Sequence, residues 1–178
     1  MLENILQDSK KQLTAALKHK KHPFRFFTLA TLQKEGGPNL RTVVLRDFDP
    51  DQFLFTLFTD KRSKKVQQLE ENPKATGLFY DSNRYIQLVV ELEMIEITED
   101  ASQFNNLPEP SKKDYTSTLI PGSPLISPQL VKHDFTRPNF TLIRLKGKSF
   151  EYLKLKRPNH IRAYFSSVNN WNGVFLAP

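Results

Sequence analysis

Between Arg41 and Lys65 the chain reads RTVVLRDFDPDQFLFTLFTDKRSKK, and no other stretch limits the possible folds as much. The β-branched run Arg41–Arg46 alternates with a period of two, which sends Arg41, Val43 and Leu45 to one face and Thr42, Val44 and Arg46 to the other. Asp47 to Gln52 reads as a turn, Phe53 to Phe58 as a returning strand that delivers Thr59, and Ser63 as the N-cap of a helix closed by Asn72-Pro73. A helix N-terminus offers unpaired N–H groups and the positive end of the helix dipole, so it favours an anion. Lys64 and Lys65 add charge at that point. Alone, S-K-K is more often a solvated helix end; after Thr59 and an R-x-x-x-x-R strand it points to a phosphate group.

The rest of the chain extends this β-rich pattern. Residues 2–18 carry a helical apolar stripe (Leu2, Ile5, Leu6, Leu13, Ala16, Leu17), and the Lys18–His22 run suits a helix C-terminus. Strands are expected at 24–33, 41–47, 53–58, 75–80, 85–98, 139–145 and 150–155, with Lys146-Gly-Lys148 separating the last two, and a final hairpin from Arg162 to Leu176. The first three form an antiparallel meander. Short helices are expected near Asp100 and Ser111, and 119–128 is a Pro-rich loop too apolar for a free linker. Antiparallel strands joined by short turns predict an α+β fold, mainly β: an antiparallel barrel as one domain over 1–178, with an N-terminal helix (1–22) and a helical and loop insertion at 99–138.

Composition narrows the chemistry. The chain has no cysteine, which removes disulfides, thiolate nucleophiles and thiolate metal sites. His19, His22, His133 and His160 lack metal-ligand spacing, and the Asp47–Asp51 run lacks the turn Gly and closing Glu of a calcium loop. GxGxxG, Walker and GxSxG motifs are absent. No apolar run approaches the ~20 residues of a membrane span. The first residues do not read as a secretory signal, so a cytoplasmic location and no membrane partner are expected. The net charge of +7 suits an anionic partner.

RTVVLR, FTLFTDKRSKK, ENPKATGLFY, YIQL, and Trp171 with the closing LAP resemble the pyridoxamine 5′-phosphate oxidase-like FMN-binding split barrels, over about 24–97 and 139–178. The resemblance implies FMN, its phosphate held by Arg41, Arg46, Ser63, Lys64 and Lys65, with Thr59 at the flavin or its phosphate and Gln87 at the ring edge. It implies a homodimer in which Arg162, within His160-Ile-Arg162, reaches the partner's flavin and Tyr152 stands at a flavin-stacking position; Tyr152 reads equally well as an ordinary strand aromatic. Arg46 replaces the usual Lys and Lys64 the usual Arg. Pro158 replaces an Arg that binds the pyridoxamine phosphate group in the oxidases, which speaks against that substrate. Glu91-Leu92 replaces a common Glu-Gly pair.

These features predict an FMN-dependent oxidoreductase of unassigned substrate, with the flavin carrying the redox chemistry and no side chain standing out as acid or base. Two other readings remain at this point: a flavin- or haem-binding module without turnover, and a basic β-barrel that binds nucleic acid through Phe24-Arg-Phe-Phe27.

Overall fold

The computed structural model describes residues 1–178. Helix α1 (Leu2–Lys18) precedes β1 (Phe26–Leu32), β2 (Pro38–Val44), β3 (Asp47–Asp49), β4 (Leu54–Asp60), α2 (Lys64–Glu71), β5 (Lys74–Asp81) and β6 (Ile86–Thr98). The insertion carries α3 (Ala101–Asn105) and α4 (Glu109–Lys112). β7 (Phe140–Lys154), β8 (Ile161–Ser166) and β9 (Val174–Leu176) complete one antiparallel sheet ordered β2-β1-β5-β6-β7-β4-β3, with β8 and β9 added beside β7. The two ends of this order meet through the chain itself. At Leu45-Arg46 the strand leaves β1 and joins β4: Leu45 N–H donates to the Arg25 carbonyl and Arg46 N–H to that of Thr56, both at 2.9 Å. The sheet thus curls into a split barrel, the expected α+β class.

Inward and outward positions alternate most clearly in Lys74–Asp81, where Ala75, Gly77, Phe79 and Asp81 are buried and their neighbours exposed. Phe24, Phe27, Phe53, Phe55, Phe79, Phe150 and Phe165 fill the interior with Leu29, Leu45, Leu57 and Leu88. Each such ring contributes roughly 1.5–3 kcal/mol of transfer free energy. Trp171 packs on Phe53 with ring centroids 4.4 Å apart, which makes it a core-facing residue.

Three expectations change. Pro23–Arg25 is a 3-10 turn before β1, and its Arg25 guanidinium donates to the Ala16 and Leu17 carbonyls that end α1. Asp47–Asp49, expected as a turn, pairs with β4 as a strand. The reversal falls at 50–53, where Phe53 takes a positive φ of 52°. Residues 140–154 form one strand, because Gly147 does not turn: a Cβ there would lie 2.4 Å from Phe53 Cδ1, so the glycine admits a close ring. β6 carries register shifts between Glu91/Leu92 and Met94/Glu96, and its Glu96 pairs with Arg144 of β7.

Candidate phosphate site at the start of helix α2

β4 ends in Thr59-Asp60, and the turn 61–63 feeds α2 with Ser63 as N-cap. The Ser63 hydroxyl makes no capping bond. It lies 3.2 Å from Thr59 Oγ1 and accepts from Lys65 Nζ at 3.2 Å, while Lys65 also donates to Thr59 Oγ1 at 2.8 Å. The N–H groups of Lys64 and Lys65, in the first helical turn, have no intrahelical acceptor. Lys64 is exposed at the rim.

Arg41 reaches the same region from β2. Its Nη1 donates to Thr31 Oγ1 at 2.7 Å and to the Leu29 carbonyl at 3.1 Å, and its Nη2 to Gln68 Oε1 at 3.0 Å. Thr31 also donates to Gln68 at 2.6 Å. Thr31 and Gln68 are buried, so they hold the guanidinium without neutralising it. Burial lowers the Lys65 pKa, and the nearby Arg41 charge lowers it further against the opposing pull of Asp60; burial likewise lowers that of Arg41. Neither cation forms an ion pair, since Asp60 is committed to Arg62 at 2.7 Å. Two desolvated cations, two hydroxyls and an open helix start are the donor set of a phosphate site, and FMN fits it.

Sequence reasoning missed Thr31 and Gln68, which orient Arg41, and the Asp60–Arg62 pair. A short polar residue at an inward strand position was the available signal for Thr31.

The other expected residues lie elsewhere. Arg46 stacks over Phe58, 5.5 Å from the ring centroid, with its buried Nε unpartnered. It borders a cleft of about 600 Å³ with Gln103, Ile95, Leu142 and Arg144. Gln87 sits on the outer face of β6 opposite Leu153, three strand spacings from β2, or about 14 Å. Arg162 shares that face and is bound to Glu151 at 2.9–3.0 Å. Tyr152 is 5% exposed and belongs to the barrel core, which leaves no ring face for a flavin within the chain. The outer face also exposes Phe26, Leu40, Leu78 and Tyr80. The structure holds no cluster of three metal-ligating side chains and no helix long and apolar enough to cross a membrane.

Residues 7–94 match the family model described as the pyridoxamine 5′-phosphate oxidase, FMN-binding domain. A pyridoxine/pyridoxamine 5′-phosphate oxidase of Aliarcobacter butzleri is 39% identical over 88 residues, 48% of this chain and 41% of that protein. One from a Nostoc species is 32% identical over 149 residues, 82% of this chain and 65% of that protein. The chain thus spans about two fifths of the Aliarcobacter relative. A pyridoxamine 5′-phosphate oxidase-related, FMN binding protein from Nostoc punctiforme superposes with a TM-score of 0.76 at 23% identity, covering 96% of each chain. PhzG from Burkholderia lata, in complex with tetrahydrophenazine-1-carboxylic acid, gives 0.76 at 18% identity over 97% of this chain and 91% of that one. The fold, the phosphate-type donor set and these matches agree: this chain belongs to the pyridoxamine 5′-phosphate oxidase-like family of FMN-binding split barrels.

Proposed function

We propose that the protein is an FMN-dependent oxidoreductase acting as one unit over 1–178, with the FMN phosphate held by Arg41, Thr59, Ser63, Lys64 and Lys65. The observation that carries this reading is the pair of part-buried cations, Arg41 and Lys65, with hydroxyl and amide partners but no carboxylate of their own. Bound FMN supplies two-electron redox chemistry at its ring. The chain supplies charge for the phosphate, a helix start aimed at it and a fixed guanidinium. Arg46, with its unpartnered Nε, contacts the ligand from the cleft side.

Gln87 and Arg162 contact the ring within a homodimer. The exposed apolar outer face around Phe26, Leu78 and Tyr80 supports a second copy of the chain as its cover, because such a face is costly in water. Tyr152 is left out, since its ring is already packed. The substrate is a small molecule other than pyridoxamine phosphate, on the ground that Pro158 offers no cation; it lies beside exposed Lys156 and Arg157.

The test is the absorption spectrum of the purified protein and identification of what denaturation releases. A flavin spectrum with released FMN is expected, and replacing Ser63, Lys64 and Lys65 together by Ala should abolish most of the affinity. A protein that neither carries nor takes up FMN overturns the reading. Bound FMN that no reductant or substrate reduces would make the chain a flavin carrier.

A further inference from the structure

We propose that Arg62 is a positioning residue that couples the phosphate-binding turn to the 117–133 hairpin, so that occupation of the site and ordering of the hairpin are one event. This rests on the FMN reading above. Arg62 lies inside the turn that carries the site, one residue before Ser63. Its Nε and Nη2 clasp the two Asp60 oxygens at 3.0 and 2.7 Å. The same Nη2 donates to the carbonyls of Ser117 at 2.8 Å and Leu119 at 3.1 Å. One guanidinium therefore holds both the turn and the first arm of the hairpin.

Besides this guanidinium, Asn139 Nδ2, from the residue before β7, donates to the Ser117 carbonyl at 3.5 Å at the base of the hairpin. Its arms are tied to each other, by Thr118 N–H to the Lys132 carbonyl at 2.9 Å, Asp134 N–H to the Thr116 carbonyl at 2.7 Å, and Thr116 Oγ1 to His133 Nδ1 at 3.1 Å. Beyond them, Ile120 to Leu130 forms no helix or strand except a 3-10 turn at its end, and it exposes Leu125 and Ile126 to solvent. Asp60 is buried, so Arg62 cannot release it without leaving a desolvated carboxylate next to a site built for an anion. An anion that fixes Thr59, Ser63 and Lys65 also fixes the turn between them, and Arg62 passes that order to Ser117 and Leu119. By reciprocity, order in the hairpin strengthens anion binding by the same factor.

The test is limited proteolysis with thermolysin, which cuts before the exposed Leu and Ile side chains, with and without saturating FMN, beside FMN titration of the same proteins. In the native chain FMN should slow cleavage at 119–131 about fivefold or more. Arg62→Ala and the gentler Arg62→Lys, which keeps the charge but loses the fork, should lose this protection and the same factor in FMN affinity; Arg62→Lys should keep most of the melting temperature, whereas Arg62→Ala, which strands the buried Asp60, should melt lower. A static brace would leave cleavage independent of FMN. Protection retained in Arg62→Lys and Arg62→Ala overturns the proposal, as does FMN binding to the native chain without protection. Absence of FMN binding to the native chain overturns the flavin reading itself, and this proposal with it.

Discussion

The Lys65 ammonium stands within electrostatic reach of the Arg41 guanidinium: burial lowers the pKa of each, and Arg41 lowers that of Lys65 further. Two part-buried like charges are brought together, with hydroxyls, the Gln68 amide oxygen and the Leu29 carbonyl as partners and no carboxylate. Such a pair costs folding free energy in the empty protein and returns it to whatever anion binds.

That cost has a sign in pH. The folded-state pKa of Lys65 is depressed, so the charged form penalises the empty fold below that pKa, and the penalty fades as pH rises through it towards the ordinary lysine value of 10.5. A bound phosphate holds the proton on Lys65. FMN affinity should therefore fall across this alkaline window, with proton uptake on binding at its upper end. Calorimetry in buffers of different ionisation enthalpy measures the uptake; affinity flat with pH and no uptake would remove Lys65 from the site.

Lys65→Met separates the site from the fold. Loss of one charge-assisted contact, about 1.5–3 kcal/mol, should weaken FMN binding roughly 10- to 100-fold. The empty protein should be no less stable than the native one in urea, because a desolvated cation has been removed. A variant that binds FMN normally contradicts the assignment, whatever its stability.

Gly147→Ala tests the strand that replaced an expected break. The new methyl would meet Phe53 Cδ1 at 2.4 Å, and Phe53 cannot withdraw easily because it stacks on Phe150 and Trp171. We expect a loss of about 1–3 kcal/mol in chemical denaturation, the usual cost of overpacking. Neutral behaviour would mean that the ring has another place to go.

Phe26→Glu with Tyr80→Glu addresses assembly. Both side chains stand on the outer face, 55% and 47% exposed, so the substitutions disturb no core contact. The native chain should scatter light as a dimer and the double variant as a monomer, with unchanged circular dichroism and weaker FMN binding. A native monomer with fully bound FMN would remove the partner-subunit role of Arg162.

The local order of the chain was readable because hydrophobic period and turn chemistry act over a few residues. The extent of α1, the strand alternation of 74–81 and the Ser63 helix start all follow from spacing. The Arg41–Lys65 cluster was readable too, since hydroxyl and cationic types recur around one helix start. Gly147 was misread because a Lys-Gly-Lys segment looks like a turn until a ring from another strand is found to need the space.

The sequence by itself determined most of the barrel's strands and the gathering of hydroxyl and cationic side chains around the start of α2, because both depend on side-chain type and short-range period. Only the tertiary structure decided that Thr31 and Gln68 hold Arg41, that Tyr152 is core and that Arg62 reaches Ser117 across 55 positions of chain. Those contacts join residues far apart in sequence, and only the closing of the sheet at Leu45-Arg46 and the return of the insertion bring them together.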